Sequence, residues 1–574
     1  MNDAGSEAKL QSHTGETVLT ANLGGYAAAV HSALSAADQQ EIIRRIWARD
    51  ASVWKTEPEH QKVIANSLGW LTVAQEMSGR TNELKQFADI IREGGFQWVM
   101  VCGMGGSSLC PEVLRQTFGR IDGSPTLLVL DSTDPDVINN FRSQIDVSRC
   151  LFVIASKSGT TTEPVAFHRY WYNEVSRLTE TPGNSFVAIT DPGTQMAAVA
   201  ESEGFKHIFL NQADIGGRYS ALSHFGMVPA ALTGIDVDKF LQHATAMTEL
   251  CRLPATQNPA ALLGAVMAEC AATGRDKLTI IADEKIATVG LWIEQLVAES
   301  TGKEGKGIVP VVLEPLGDVS NYGDDRVFVS ITLGDPLGEV KQLEDAGHPI
   351  VYRTLNDVNE LGAEFFLWEM ATAFAGWRMA INPFDQPNVQ EAKDATKSLL
   401  DQYSREGKLN EQAPIAQSDG LAVYGPGSSG ASLRDVLKGH LTKVKSSDYI
   451  ALLVYLEETP EIDAALTGLR TALRDVTGRA VTVGYGPRYL HSTGQLHKGG
   501  PDTGVFLQLT APDNANFEVP QSDYTFSILK QAQAQGDLDA LLAHGRRALR
   551  IDVGNNTVPA IGRLTALIPS LWEG

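Results

Sequence analysis

WVMVCGMGGSSLCP at 98–111 and LFVIASKSGTTTEP at 151–164 share one layout: an apolar run, a burst of glycine and hydroxyl residues, then a helix-compatible stretch. Each apolar run has the length of a buried strand, so each hydroxyl cluster falls where a strand ends. In open α/β sheets, ligands bind at the carboxyl ends of the strands. The pair therefore predicts an α/β fold with doubly wound parallel sheets and a polar ligand held at the strand ends.

Working outward, strand candidates recur at 97–102, 126–130, 151–155, 186–190 and 207–210, with helices between them. This recurrence is the mark of a doubly wound unit. A second unit follows, with strands at 278–282, 309–313, 327–331 and 350–353 and a helix over 364–380. Residues 405–420 read as a linker, and a further α/β region has strands at 421–424, 449–455, 481–485 and 505–509. The N-terminal stretch to about 17 is polar and reads as loose, and 18–95 reads as helical. The predicted division is thus 1–95, 96–230, 231–404 and 421–574.

Composition narrows the classes. The chain has 574 residues, 43% hydrophobic and 20% charged, enough for several cores. Its apolar runs are too short for a membrane helix, and the N-terminus lacks a signal pattern. A net charge of −22 disfavours nucleic acid as a partner. Five cysteines, never spaced as a metal clip, predict reduced thiols in a cytoplasm.

GMGGSS at 103–108 begins as a dinucleotide fingerprint does, and Asp131 ends a later strand as a ribose-binding acid would. The third glycine position is Ser108, however, and a second hydroxyl loop lies nearby. Gly106 and Ser107 then suit an oxyanion cradle at a helix start, beside the readings of a dinucleotide turn or a plain tight turn. The second loop packs five hydroxyls and one ammonium into residues 156–163. Ser156, Lys157, Ser158 and Thr161 suit a phosphate clamp. A solvated turn with a capping box from Thr160 to Glu163 is the plainer alternative.

Arg218, in IGGRYSALSHFG, suits stabilisation of a developing oxyanion, or a structural ion pair. His224 reads as packed. In the apolar helix around 291–299, Gln295 and Glu299 lie four apart on one face, so Glu299 is a candidate base. Gln386 and Lys393 lie seven apart in INPFDQPNVQEAK, two helical turns on one face.

GMGGSSLCP, SKSGTTTEP, GGRYSALSHFG, EQLVAESTGKEGKG and INPFDQPNVQEAK resemble, in that order, motifs of the phosphoglucose isomerase family over about residues 100–400. The layout is most similar to the isomerase half of bacterial transaldolase and glucose-6-phosphate isomerase fusions, without the added length of a transaldolase barrel. The resemblance implies two sugar-isomerase domains of three-layer αβα form, plus an additional C-terminal α/β region. It implies interconversion of glucose 6-phosphate and fructose 6-phosphate through a cis-enediol, with no metal or organic cofactor, in a homodimer. On the matching positions, Ser107, Ser156, Lys157, Ser158 and Thr161 bind phosphate, Glu299 moves the proton and Arg218 steadies the enediolate. Gln295 and Gln386 contact substrate, and Lys393 does so and assists ring opening. A non-catalytic sugar-phosphate regulator and a dual phosphoglucose and phosphomannose isomerase are the alternative readings.

One departure stands out. The family places a ring-opening histidine between the glutamate and the lysine, and here the next histidine after Glu299 is His348, outside any motif. LHSTGQLHKGG at 490–500 reproduces the histidine segment after the lysine instead. His491 is therefore the expected ring-opening residue, with His497, or Lys393 and water, as alternatives. GPGSSGAS at 425–432 reads as a flexible turn or a second anion site.

Overall fold

The computed structural model describes residues 7–11, 17–409, 413–427 and 430–572, whose strands assemble into three sheets. The first sheet is wholly parallel, running Thr126–Leu130, Trp98–Cys102, Cys150–Ala155, Phe186–Thr190 and His207–Leu210 from edge to edge. CLFVIA and FVAIT are buried along their whole length, as a parallel sheet covered on both faces requires. Alternate residues feed different cores: Leu151 and Val153 pack on one face, Phe152 and Ile154 on the other. Phe152 stacks against Trp171 at 4.9 Å and Phe186 at 5.2 Å. The core on that second face also takes Phe526, Leu529 and Ala532 from helix Phe526–Ala543, near the C-terminal end of the chain.

The second sheet joins Ile350–Leu355, Arg326–Leu333, Lys277–Ala282 and Val309–Val311 in parallel. Its other edge corrects the sequence reading. Glu7–Gln11 and Thr17–Asn22 form an antiparallel hairpin that pairs with Ile350–Leu355, where a loose tail and the start of a helical stretch were expected. Leu19 and Ala21 alternate inward and are buried, which is the apolar content that seats this edge.

The third sheet runs Ala416–Ser418, Leu421–Tyr424, Arg547–Asp552, Gly504–Thr510, Tyr449–Tyr455 and Ala480–Tyr485, parallel except at its first two strands. Part of the expected linker is thus strand. Ser428 and Ser429 of the GPGSSGAS turn lie outside the described residues. One face of this sheet has its own core, whereas Tyr449, Leu453 and Phe506 on the other join Ala298, Val309 and Val311 of the second unit. The approach is close: a Cβ on Gly302 would sit 2.4 Å from the Leu496 Cα, so only glycine admits this contact. Among the described residues, no helix is long and apolar enough to cross a membrane.

Candidate active site

The strand ends of the first sheet face helix Val289–Thr301 across a cavity of about 790 Å³. Its lining includes Gly106, Ser107, Ser156, Lys157, Ser158, Thr161, Arg218, Gln295, Glu299, Gln386, Lys393 and His491, so every residue assigned to the site from the sequence reaches one space.

Two loops meet at one end. A Cβ on Gly106 would lie 2.0 Å from the Gly217 carbonyl oxygen, so the absence of a side chain lets the Gly105–Ser107 turn touch the loop carrying Arg218. Ser107 is buried there. In the second loop, the Ser156 hydroxyl accepts from the Gly159 N–H at 3.2 Å and lies 3.4 Å from the Thr161 hydroxyl. Ser158 Oγ lies 3.3 Å from that same hydroxyl, so the hydroxyls fold the loop on itself. The capping box of the alternative reading does not form. Thr161 precedes helix Thr162–Ser176 without capping it, and the Thr160 hydroxyl donates to Ser158 Oγ at 3.3 Å. The uncapped first N–H groups leave the positive helix end available to an anion. Lys157 is less free than the sequence suggested: its ammonium pairs with Asp191 and donates to the Ala213 carbonyl at 2.8 Å.

At the other end stands a buried ion pair, with Arg218 Nη1 3.0 Å from Glu299 Oε1. Arg218 uses its fork fully. Nε donates to Ser300 Oγ at 2.8 Å, Nη1 to Gln386 Oε1 at 3.0 Å, and Nη2 to the carbonyls of Pro383 and Asp385 at 2.7 and 2.9 Å. Such a guanidinium is fixed in place before any ligand arrives. Gln295 Nε2 donates to the other Glu299 oxygen at 3.2 Å, which orients the carboxylate.

Gln386 is not helical, contrary to the seven-residue spacing argument. The helix is Val389–Glu406, which carries Lys393 alone, and Gln386 reaches the cavity because Arg218 holds its loop. Lys303, which sequence reasoning passed over, grips the same loop through the Asp385 carboxylate at 2.8 Å. Burial pushes the pKa of this ammonium down to about 8, with Arg218 adding to the shift and Asp385 opposing it.

His491 ends the short turn Arg488–His491. Its Nε2 lies 3.0 Å from Glu163 Oε1, and its carbonyl accepts from Gln295 Nε2 at 2.7 Å. Glu163 also accepts from Gln533 Nε2 at 2.6 Å, and Gln533 Oε1 accepts from the Thr133 hydroxyl at 2.6 Å. Burial alone would raise the Glu163 carboxyl, but the His491 charge and hydrogen bond carry it below the usual carboxylate range. Glu163 thus faces the histidine, the role that a capping reading hid. Gln495 ties the same segment down a second time, its Nε2 donating to the Gly302 carbonyl at 2.9 Å and to Asn388 Oδ1 at 2.8 Å.

The remaining candidates lie elsewhere. His497 packs against Phe506 at 5.0 Å, outside the cavity lining, and burial pushes its ring well below the usual range. His348 sits edge-on to Phe328 at 5.2 Å. His224 packs on Phe209, with burial pushing its pKa down to about 4. Asp131 pairs with Arg488 at 3.4 Å instead of waiting for a ribose. All five cysteines are free and buried.

Residues 59–310 match the family model described as phosphoglucose isomerase. A curated glucose-6-phosphate isomerase from Cyanothece sp. is 31% identical over 358 residues, covering 54% of this chain and 67% of that protein. A probable glucose-6-phosphate isomerase from Methanococcus maripaludis is 26% identical over 387 residues, covering 59% and 86%. Among solved structures, a hypothetical protein from Thermus thermophilus aligns with a TM-score of 0.55 at 24% identity, over 66% of this chain and 99% of that one. A glucose-6-phosphate isomerase from Chlamydia trachomatis aligns with a TM-score of 0.55 at 19% identity, over 67% and 89%. The architecture is that of a sugar-isomerase fold. The chain belongs to the phosphoglucose isomerase family.

Proposed function

We propose that the protein is a glucose-6-phosphate isomerase that interconverts glucose 6-phosphate and fructose 6-phosphate through a cis-enediol. The observation that carries this reading is the Glu299 and Arg218 pair, 3.0 Å apart, in the same cavity as the hydroxyl cradle of Ser107, Ser156, Ser158 and Thr161. The names of the relatives support it.

The cradle and the open end of helix Thr162–Ser176 take the phosphate. His491, held by Glu163, and Lys393 shuttle the proton that opens the sugar ring. Glu299 then removes the proton from C2, the electron pair forms the C1–C2 double bond, and the aldehyde oxygen gains negative charge. Arg218, already fixed, stabilises that charge while the O2 hydroxyl proton passes to O1, and Glu299 then returns its proton to C1 as the C2 carbonyl forms. Gln295 and Gln386 position the substrate hydroxyls. A positioned base of this kind contributes roughly 10²- to 10⁴-fold.

The segments 96–230 and 231–404 serve as the two sugar-isomerase domains in this reading, and the protein works as a cytoplasmic homodimer. The buried thiols accord with a reducing compartment.

A coupled assay with glucose 6-phosphate, fructose 6-phosphate and mannose 6-phosphate tests the proposal. The wild type is expected to interconvert the first two and Glu299→Gln to lose about 10²- to 10⁴-fold in kcat. Sugar-phosphate binding without turnover by the wild type would mark a regulator instead, and turnover of mannose 6-phosphate would mark the dual isomerase.

A further inference from the structure

A second cavity, of about 230 Å³, lies behind the catalytic one, between helix Val289–Thr301 and helix Pro460–Thr477 of the C-terminal region. It shares no lining residue with the catalytic cavity. Its walls are nevertheless continuous with it along the chain, since Glu294 precedes Gln295 and Ser492 follows His491. Asp463 and Thr467, both exposed, stand at its mouth.

The chemistry of the wall is unbalanced. Arg470 lines the cavity at 4% exposure, and neither its Nε nor its Nη2 has a hydrogen-bond acceptor in the protein. A buried guanidinium without acceptors is costly, and the neighbouring carboxylates are already engaged. Glu314 pairs with Arg326 at 3.0 Å, Glu458 pairs with Arg488 at 2.9 Å, and Asp463 accepts from the Tyr485 hydroxyl. Glu294 also lines the cavity but accepts from neither Arg470 Nε nor Nη2, and burial pushes its pKa up to about 8, with Arg470 and Arg488 opposing the shift. What the cavity lacks is an acceptor for a planar fork, and carboxylates and phosphates are the groups that match one. The volume falls below the usual range for larger ligands.

We propose that this cavity binds a small organic anion, a carboxylate or a phosphate monoester, through Arg470, and that its occupancy is transmitted through the Arg488–Ser492 segment to His491. The binding stands on its own; the effect on turnover rests on the isomerase reading above. Tyr489 and Ser492, which line the cavity, flank His491, so a ligand that repositions them repositions the ring held by Glu163. Coupling of this kind is reciprocal, so sugar phosphate would in turn change anion affinity.

Calorimetric titration of the full chain with malate and, separately, with inorganic phosphate tests the site, with fructose 6-phosphate present to occupy the catalytic cradle. The expected result is saturable binding of at least one probe, weakened tenfold or more in Arg470→Met and Thr467→Trp and retained in His491→Ala. Arg470→Met removes an unpaired buried charge and should keep its fold; Thr467→Trp plugs the mouth from an exposed position if it does not. The tighter probe identifies the anion class. Binding of neither probe, or equal binding by wild type and both variants, overturns the proposal. Loss of turnover in the wild type with malate binding intact would instead count against the isomerase reading alone. The probe that binds should also change kcat/KM of the wild type and leave that of Thr467→Trp unchanged.

Discussion

His491 Nε2 lies 3.0 Å from Glu163 Oε1, joining residues 328 positions apart in the chain. An ionised Glu163 accepts from Nε2–H, and in the neutral ring this leaves Nδ1 as the acceptor, the tautomer that the proposed proton shuttle uses.

His491→Ala should slow turnover of cyclic sugar phosphate by about 10²-fold or more while leaving the open-chain proton transfer intact. Comparing isomerisation rates with the rate of C2–H exchange on open-chain substrate in D₂O separates the two steps. Unchanged turnover of cyclic substrate in this variant would remove His491 from ring opening.

Glu163 is held below the usual carboxylate range, so its contribution to stability is present above that range and lost as pH falls through the depressed folded value. Denaturant melts of wild type and Glu163→Gln should differ at pH 7 and converge in acid. A gap that widens on acidification contradicts this sign.

Arg218→Lys keeps a charge but loses the fork that holds Ser300, Gln386, Pro383 and Asp385. It should lower both kcat and the unfolding midpoint, and leaving Glu299 without its partner in Arg218→Met should cost about 3–5 kcal/mol. Urea melts alongside the coupled assay check this, and a Lys variant matching the wild type in both would refute it.

Gly106→Ala should destabilise by about 1–3 kcal/mol, because its Cβ would lie 2.0 Å from the Gly217 oxygen. Gly217→Ala is the control, with nothing within 4 Å of its Cβ, and should change stability little. Equal destabilisation of the two by thermal melting would show that the contact is not what requires glycine at 106.

Lys303, its pKa lowered to about 8, is neutral in the fold while still charged in the unfolded chain between that pH and the ordinary lysine value. The unfolded state then binds more protons, so stability should rise with pH across this window. Lys303→Met should flatten the rise in melts taken from pH 8 upward; an identical slope would exclude Lys303 as its source.

Trp98–Cys102 and Cys150–Ala155 were legible because their apolar runs end in hydroxyl loops, and Glu299 was a candidate through its shared helix face with Gln295. Other features were hidden for physical reasons. Glu163 fits a local capping template, and its true partners, His491 and Gln533, come from distant parts of the chain. Gln386 has helical spacing to Lys393, yet its loop is set by Arg218 and Lys303. The strand Arg547–Asp552 carries two arginines and an aspartate on its sequence RALRID, which masks its alternation. The strands Glu7–Gln11 and Thr17–Asn22 are set by the sheet edge they join, which local composition does not encode.

Helix Phe526–Ala543 closes the far face of the first sheet and sends Gln533 to Glu163. On the ribosome, Arg218, Glu299 and Lys393 all emerge long before this helix does. A chain stopped near residue 404 would therefore carry Arg218, Glu299 and Lys393 yet lack Phe526, Leu529 and Ala532 of the core that holds Phe152 and Trp171, and lack His491 and Gln533, so the cavity is finished only by the last stretch to be translated.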